Sequence, residues 1–477
     1  MSRILVVGGG IAGLSAAWHV RAQDPRAEVT LVEKDTRLGG KIRTEEAGGF
    51  FLEAGPDSFL SRKPAVVRLA GELGIADRLV ARTPRAGGSF IAHGHALFPF
   101  PEGFSGMVPS NLDSLAAHPL LSEQGKRRAL QEPSIPPGPE REDESIAGFM
   151  TRRFGEEVFR LLIEPLVSGI YSGDAAQLSL EATFPGLREL ERRQGSLIPA
   201  ASGSGRPGDT PPSEKPGSRP LEAGASRLAF VSFPRGTEEL VHALAARLDS
   251  SRVVLGVGAD SAGPSGAGFR VRLGDGSVRE ADALIVAAPA PDAARLLRDL
   301  DPELSRLLGE IGFASSAVVH LAYRQSDISH PLDGYGYLIP RGEAGPLIAC
   351  TWTSRKWEGR APAGTVLLRL YAGGRAETAG VSDAELAAMA RGELAATMGI
   401  FAEPMLTRLH RWDKAMPRYS LGHPSRVAAI DERVARHPGL FLAGASYRGV
   451  GIPDCIESGR AAAQAALARL AQEGRKK

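Results

Sequence analysis

The sequence predicts an α/β protein whose N-terminal part is one half of a doubly wound parallel sheet. The apolar run Arg3–Val7 predicts a buried strand, a glycine-rich turn follows it, and a helix is expected from Leu14 to about Gln23. A second strand is expected over residues 28–33. The order strand, glycine turn, helix, strand is typical of a dinucleotide-binding domain. With 477 residues, the chain is long enough for two or more domains.

The composition is that of a globular protein, with 43% hydrophobic and 23% charged residues. A formal net charge of +2 and the lack of a recognisable nucleic-acid motif argue against a nucleic-acid partner. Cys350 and Cys455 are far apart and are interpreted as packed thiols in a reducing compartment. His93 and His95 have no third ligand nearby, so no metal site is predicted. We recognise no signal peptide or membrane-spanning segment and expect a cytoplasmic location.

The first motif that indicates chemistry is Gly8-x-Gly10-x-x-Gly13. Glycine lets the backbone turn tightly, approach a pyrophosphate closely and pack a helix on a strand. The helix N-terminus then offers free N–H groups to the pyrophosphate. Glu33 stands 20 residues after Gly13, where an acidic side chain accepts hydrogen bonds from ribose hydroxyls. The alternative, an ordinary glycine-rich turn, is disfavoured by this combined context.

Three further motifs favour FAD over NAD as the dinucleotide. Leu38-Gly39-Gly40-Lys41 suits a chain that runs along the second phosphate and the ribitol, and residues 53–59 suit a turn that approaches an isoalloxazine ring. Residues 440–454 predict a strand and a glycine-rich turn, with a helix from Cys455. The dipole of that helix would stabilise negative charge on a reduced flavin. The alternatives are surface loops for the first two motifs and a purely structural strand-turn-helix for the third.

Several segments are interpreted as connectors. Residues 131–143 are rich in proline and charge, and residues 200–226 are rich in Gly, Ser and Pro, which predicts a mobile loop. Residues 259–268 are expected to form the turn of a hairpin that joins strands at 253–255 and 269–273.

The rest of the chain shows two different periodicities. Helical periodicity dominates between about residues 145 and 195, and the pairs Arg152-Arg153 and Arg192-Arg193 are interpreted as solvated helix faces. Alternating residues at Ser316–Leu321 and Thr365–Leu370 predict a second, more antiparallel sheet.

With all motifs in order, the chain resembles the oxygen-dependent protoporphyrinogen and coproporphyrinogen III oxidases of haem synthesis, within the flavin amine oxidase superfamily. The resemblance covers nearly the whole chain. The segments that carry it are Glu53–Leu60, Leu162–Asp174, Arg411-Trp412, Met416–Tyr419 and Gly444–Ile456. Cys350–Ser354 with Lys356-Trp357 is similar to the coproporphyrinogen III oxidase branch typical of Gram-positive bacteria.

The resemblance implies a set of site residues. Those expected to contact FAD are Gly8, Gly9, Gly10, Ile11, Ala12, Gly13, Glu33, Lys34, Gly40, Lys41, Gly55, Pro56, Asp57, Ser58, Ala259, Trp412, Gly444, Val450, Gly451 and Ile452. Gly169, in a Ser-Gly-Ile-Tyr turn, is expected close to the substrate cavity. Tyr371 is the candidate catalytic or cavity-wall residue, with a buried aromatic that only satisfies its hydroxyl as the alternative.

The substrate's carboxylates separate two members of this family. Coproporphyrinogen has four propionates and protoporphyrinogen two, so a cavity for the former should offer more cationic groups or a wider mouth. Many eukaryotic protoporphyrinogen oxidases carry a propionate-pairing arginine where this chain has Ser89, which counts against protoporphyrinogen. The candidate carboxylate partners are Arg62, Lys63, Arg85, Arg355 and Lys356, each of which could instead be simply solvent-exposed.

The expected domain organisation is discontinuous. A Rossmann-type FAD-binding domain is expected from residues 1–60, 222–290 and 420–477, and an antiparallel-sheet substrate domain from residues 61–88 and 291–419. A mainly helical subdomain that could contact a membrane is expected over 89–199, and a flexible loop over 200–221.

The expected activity is FAD-dependent oxidation of coproporphyrinogen III in three two-electron steps, with O2 as acceptor and H2O2 as product. The alternatives are protoporphyrinogen IX oxidation, another flavin amine oxidase or desaturase, a NAD-dependent dehydrogenase, and a non-enzymatic escort protein. The expected partners are the porphyrinogen and O2. Peripheral contact with the inner face of the membrane, haem-pathway enzymes as partners, and a monomeric or homodimeric state are left open.

Overall fold

The computed structural model describes residues 2–85, 87–105, 107–109, 111–138, 143–198, 230–266, 268–373, 378 and 380–474. The predicted loop at 200–221, and nearly all of the wider Gly/Ser/Pro-rich segment, lie outside the described residues. The chain divides into two compact units. The first takes its described residues from Met1–Arg82, Leu221–Gly312 and His423–Lys477, and the second from Thr83–Pro220 and Phe313–Gly422. The predicted division into functional domains stays a prediction.

The strands are labelled here in chain order. They are β1 Arg3–Val7, β2 Glu28–Val32, β3 Thr44–Ala47, β4 Phe50–Glu53, β5 Phe59–Leu60, β6 Val80–Ala81, β7 Phe90–His93, β8 Ala96–Pro99, β9 Phe104–Ser105, β10 Val108–Pro109, β11 Phe230–Ser232, β12 Val253–Val254, β13 Ala259–Ser265, β14 Gly268–Leu273, β15 Val278–Ala281, β16 Ala283–Val286, β17 Phe313–Arg324, β18 Gly336–Leu338, β19 Leu347–Thr351, β20 Thr365–Gly373, β21 Leu406–Pro417 and β22 Leu440–Leu442.

The helices are named by their bounds. The α-helices are Ile11–Gln23, Ala65–Leu73, Leu112–Ala116, Glu123–Leu130, Ile146–Phe154, Glu156–Val158, Glu164–Tyr171, Leu180–Thr183, Pro185–Gln194, Glu238–Ala245, Ala290–Leu297, Pro302–Gly309, Thr353–Lys356, Asp383–Met398, His423–Val434 and Ile452–Gly474. Short 3-10 helices lie at Ala76–Arg78, Glu132–Ser134, Ser250–Arg252 and Gln325–Asp327, and a π-helix at Phe159–Ile163. In the described ranges, no helix is both long enough and apolar enough to cross a membrane.

The first unit is built on a parallel sheet of strand order β12-β2-β1-β16-β22. Its central strands are continuous apolar runs because a parallel sheet is covered on both faces. The helix Ile11–Gln23 packs closely against the helix Ile452–Gly474, since a Cβ on Gly459 would lie 2.1 Å from the carbonyl oxygen of Ala12. The predicted α/β class with a Rossmann-type sheet is confirmed.

The second unit contains a larger sheet of order β21-β17-β20-β19-β18-β7-β8, in which β21, β17 and β20 are antiparallel neighbours. One face is apolar and packs under the helix Asp383–Met398, with Val319, Leu370 and Leu394 in the same core. Alternation along the strands places polar side chains on the opposite face. The predicted antiparallel sheet is therefore present. Strands β17 and β20 include the two segments from which it was predicted.

The predicted hairpin, in which residues 259–268 join a strand at 253–255 to one at 269–273, is wrong. Residues Ala259–Ser265 form strand β13 rather than a turn, and they pair antiparallel with β14. β12 instead joins the parallel sheet beside β2. Both sequences can form strands, and what separates them is pairing with segments far away in the chain.

The interpretation of Arg153 as a solvated residue is also wrong. Its side chain is fully buried, and its guanidinium donates to the equally buried carboxylate of Glu132 at 2.7 Å and to Glu191 Oε1 at 3.4 Å. Glu132 lies in the predicted connector and also accepts hydrogen bonds from Ser196 Oγ at 2.5 Å and from the backbone N–H of Leu197 at 2.9 Å. Burial is tolerated because each charge has a counter-ion and hydrogen bonds.

Replacing Glu132 with glutamine should destabilise the protein by about 3 kcal/mol, because it leaves the buried Arg153 charge without its main counter-ion. Urea unfolding followed by circular dichroism measures this. The matched control is Glu123→Gln, whose carboxylate pairs with Lys126 while 82% exposed, and which should leave the unfolding midpoint unchanged. Equal effects of the two changes would show that the buried pair contributes nothing particular.

Candidate functional site

The glycine turn after β1 is shaped by two close backbone contacts. Gly8 has φ +107°, and a Cβ there would lie 2.8 Å from the carbonyl oxygen of Ala287. A Cβ on Gly13 would lie only 1.8 Å from the carbonyl oxygen of Gly8. The first and last glycines of the motif are therefore required by the packing of the protein on itself.

Gly10 differs from its neighbours because the space beside it is open. Its φ is an ordinary −70°, and in the described part of the chain no heavy atom lies within 4 Å of the place its Cβ would take. Gly10 is also the N-cap of the helix Ile11–Gln23, which has no side-chain cap hydrogen bond. Unsatisfied N–H groups at a helix start, next to open space, form a suitable site for a phosphate.

Glu33 directly follows β2 and is held in place by backbone donors. Its carboxylate accepts the N–H of Gly9 at 2.5 Å and of Asp35 at 2.8 Å, and the residue is 8% exposed. A carboxylate has about four acceptor positions, so it can still accept a ribose hydroxyl. The chain just before Ala259 lies beside it, because the N–H of Val257 donates to the carbonyl oxygen of Glu33 at 3.2 Å.

The structure brings Gly40 against Gly10. The N–H of Gly39 donates to the carbonyl oxygen of Gly9 at 2.8 Å, and a Cβ on Gly40 would lie 3.3 Å from the Cα of Gly10. Arg37 shapes this loop from within, since its guanidinium donates to carbonyl oxygens of the loop, including that of Ile42 at 3.2 Å. Two motifs 30 residues apart thus meet at one place.

Lys41 places a half-buried cation at the same edge of the sheet. Partial burial lowers the pKa of its ammonium group, and among the described residues no hydrogen bond or ion pair to that group is formed. The neighbouring thiol of Cys455 cannot act as its counter-ion, because burial raises the pKa of Cys455 to about 12. A half-buried charge without a counter-ion is unfavourable, and an anionic ligand would compensate it.

The segment Gly55–Ser58 packs directly on Lys41. A Cβ on Gly55 would lie 1.9 Å from the carbonyl oxygen of Lys41. Ser58 Oγ donates to Asp57 at 2.7 Å, and Ser232 Oγ donates to the carbonyl oxygen of Asp57 at 2.9 Å. Pro56 lies inside this segment, so the third predicted FAD-contacting segment adjoins the second.

The C-terminal motif reaches the same turn through Gly444. A Cβ on Gly444 would lie 3.8 Å from Cβ of Ala12. The following helix begins at Ile452 rather than at Cys455, and a Cβ on Gly451 would lie 3.0 Å from the carboxylate of Asp454. Val450 lies in the turn before it.

Two of the predicted basic cavity residues lie in the first unit. Lys63 Nζ donates to both carboxylate oxygens of Asp454, at 2.6 and 2.7 Å, and so has a protein counter-ion. Arg62 is exposed. Lys34, a predicted FAD contact, directs its ammonium to Asp292 at 3.1 Å. Lys63 and Lys34 thus have protein counter-ions, and Arg62 faces solvent. Their contacts with substrate or FAD stay predictions.

The remaining predicted residues belong to the second unit. Gly169 lies within the helix Glu164–Tyr171, not in a turn, and a Cβ there would lie 3.8 Å from Leu338 Cδ2. The helix ends only after Tyr171, where Ser172 takes the left-handed conformation with φ +46°. Ser89 is exposed just before β7. Trp412 lies opposite Ser316 in the β21–β17 pair.

Tyr371 stands on the polar face of the large sheet. Arg369 Nη1 donates to its hydroxyl at 2.7 Å, and the guanidinium lies 4.5 Å from the ring centroid. Across the strands, Tyr371 is in register with Val318, which is in register with His410. His320 and His410 are buried there with ring centroids 5.6 Å apart.

No motif in the sequence predicted a role for Arg369, His320 or His410. A signal for Arg369 exists, because Arg369 and Tyr371 are polar residues two positions apart inside an otherwise apolar strand. The same spacing in β21 relates His410 to Trp412. Such pairs indicate a strand with one polar face.

Comparison with known proteins places this geometry in a family. Residues 11–467 match the model of the flavin-containing amine oxidoreductases, so the chain belongs to that family. It is 35% identical to the coproporphyrinogen III oxidase of Bacillus subtilis, over 98% of each chain. It is 34% identical to that of Propionibacterium freudenreichii, over 96% of this chain and 89% of the relative.

A solved structure from Exiguobacterium, described as a candidate protoporphyrinogen oxidase, superposes with a TM-score of 0.82. The two chains are 29% identical, over 98% of this chain and 99% of the other. These similarities confirm the family predicted from the sequence. The chain is a flavin-dependent oxidoreductase, and its cofactor is FAD. The open space at Gly10 and the uncompensated charge of Lys41 fit a dinucleotide phosphate.

Alanine at Gly10 and alanine at Gly13 should have opposite consequences. Gly10→Ala meets no protein atom, so the melting temperature of FAD-free protein should not change, while FAD should bind at least about tenfold more weakly. Gly13→Ala forces a backbone shift and should lower the free energy of unfolding by about 2 kcal/mol. Flavin fluorescence titration and thermal melting measure the two quantities. A Gly10→Ala protein that binds FAD normally would refute the phosphate position.

Replacing Lys41 with methionine should weaken FAD binding by about tenfold and leave the FAD-free protein as stable as before or more stable. The charge of the ammonium group is unfavourable in the FAD-free protein, because it has no counter-ion there. When FAD is bound, the same charge attracts the anionic part of the cofactor. Lys126→Met is the matched control, because that ammonium pairs with Glu123 in the second unit and is not among the predicted FAD contacts. If both variants bind FAD equally tightly, Lys41 has no anionic ligand in the cofactor.

Proposed function

We propose that this chain oxidises coproporphyrinogen III to coproporphyrin III in haem biosynthesis. The substrate has four sp³ bridges and loses six electrons and six protons to become aromatic. Three two-electron steps accomplish this, and each one reduces one O2 to H2O2. The overall reaction is coproporphyrinogen III + 3 O2 → coproporphyrin III + 3 H2O2, in which hydrogen and electrons balance.

The observation that carries the proposal is the near-full-length match to two coproporphyrinogen III oxidases, which includes both compact units. The match therefore covers the FAD-binding edge and the large antiparallel sheet alike. The polar face of the large sheet supports a ligand with polar substituents around an aromatic ring.

The residues described above have the following roles in the proposed reaction. FAD would supply a two-electron acceptor that O2 can reoxidise. The free N–H groups at Gly10 and the start of its helix would bind the pyrophosphate, and Glu33 would bind the ribose. Lys41 holds positive charge beside the cofactor's anionic part. Tyr371, fixed by Arg369, forms part of the wall that orients the tetrapyrrole.

Protoporphyrinogen IX is the second candidate substrate, because the Exiguobacterium structure carries that description at comparable coverage. Ser89 offers no charge for a propionate at the position where many protoporphyrinogen oxidases have arginine. This difference favours coproporphyrinogen III.

Aerobic turnover of the purified FAD-loaded protein with each porphyrinogen in parallel tests the proposal. Porphyrin fluorescence and peroxide should rise together in a 1:3 ratio, with kcat/KM at least about tenfold higher for coproporphyrinogen III. A reversed preference would assign the chain to protoporphyrinogen IX. A yellow protein that oxidises neither would exclude both substrates and leave a different substrate for the flavoenzyme.

A further inference from the structure

Arg85 and Arg355 of the second unit lie side by side. Arg85 Nε donates to the backbone carbonyl oxygen of Arg355 at 3.3 Å, and the backbone N–H of Arg85 donates to the Tyr335 hydroxyl at 3.1 Å. Arg355 in turn donates from Nη2 to Gln325 Oε1. Both side chains are partly buried. Two guanidinium groups are thus fixed next to each other by neutral partners only.

Neither guanidinium has a carboxylate counter-ion in the part of the chain that the structure describes. Arg355 Nε is buried and has no hydrogen-bond partner there. Burial and the nearby positive charge of Arg85 both lower the pKa of Arg355, and no acidic group counteracts them. Asp333 is the nearby acid, and its carboxylate lies against Gly87 instead. Two adjacent, partly buried cations repel each other, and an anion between them would relieve that repulsion.

We propose that Arg85 and Arg355 together bind a carboxylate of the tetrapyrrole substrate. This inference rests on the proposed function and names the residues that would bind one propionate of the porphyrinogen. Arg85 retains both Nη groups as free donors, and Arg355 retains Nη1. A planar pair of oxygens suits these donors, because guanidinium groups bind carboxylates through paired, charge-assisted hydrogen bonds.

Arg85 and Arg355 would also supply the positive charge that Ser89 lacks. A single propionate needs one strong cationic partner, and this chain has serine where a relative's arginine would stand. Arg85 precedes Ser89 by four residues, and Arg355 comes from the segment after β19, so two separate segments supply the charge instead. The two arginines are far apart in the sequence, so no single motif predicts that they bind a carboxylate together.

The test is equilibrium binding of coproporphyrin III to the FAD-loaded protein, measured by porphyrin fluorescence, with coproporphyrin III tetramethyl ester as the uncharged probe. Arg85→Gln and Arg355→Gln should each raise the Kd of the acid by about tenfold and change that of the ester by less than about twofold. Arg192→Gln, an exposed arginine of the same unit, is the matched control and should change neither. Raised salt should weaken binding of the acid but not of the ester.

Arg355→Lys keeps the charge but not the paired donors, so its Kd for the acid should lie between those of wild type and Arg355→Gln. If the glutamine variant unfolds, a Kd of Arg355→Lys that is raised for the acid and unchanged for the ester supports the inference. Equal losses for acid and ester, or no loss for either, would overturn the inference. If wild-type protein binds both porphyrins and the arginine variants do so too, only this inference fails. If wild-type, FAD-loaded protein binds neither porphyrin, the proposed function itself fails.

Discussion

The contact between Gly13 and the carbonyl oxygen of Gly8 constrains everything around the cofactor site. Because that oxygen would lie 1.8 Å from any Cβ on Gly13, the helix Ile11–Gln23 can start only where glycine lets it rest on the turn. The same turn fixes the backbone of Gly9. The N–H of Gly9 donates to the carboxylate of Glu33, and its carbonyl oxygen accepts the N–H of Gly39. Gly40, Lys41 and the segment packed on them follow from that placement.

The large sheet of the second unit divides two tasks between its faces. One face is packed under the helix Asp383–Met398 and contributes stability. The other carries Arg369, Tyr371 and the two buried histidines, which are costly to bury unless their polar atoms are satisfied. Strand alternation alone achieves the separation, since a shift of one residue would exchange the faces.

Much of this was predictable where local rules decide. The glycine turn and its helix follow from backbone geometry, and β17 and β20 from mainly apolar runs with single polar residues inside them. The pairing of β12 and β13 was not predictable, because it depends on partners distant in sequence. The burial of Arg153 depends on Glu132 and Glu191, 21 and 38 residues away. The glycine motif also does not reveal that Gly8 and Gly13 serve packing while Gly10 faces open space.

The uncompensated charge of Lys41 links cofactor supply to the lifetime of the protein. A ligand that binds only the folded state stabilises it by RT ln(1 + [L]/Kd), about 2.7 kcal/mol when the ligand is at a hundred times its Kd. Chains made during flavin shortage keep the unfavourable charge and lack this gain. Proteolysis of transiently unfolded chains should therefore be slower when FAD is bound than when it is absent.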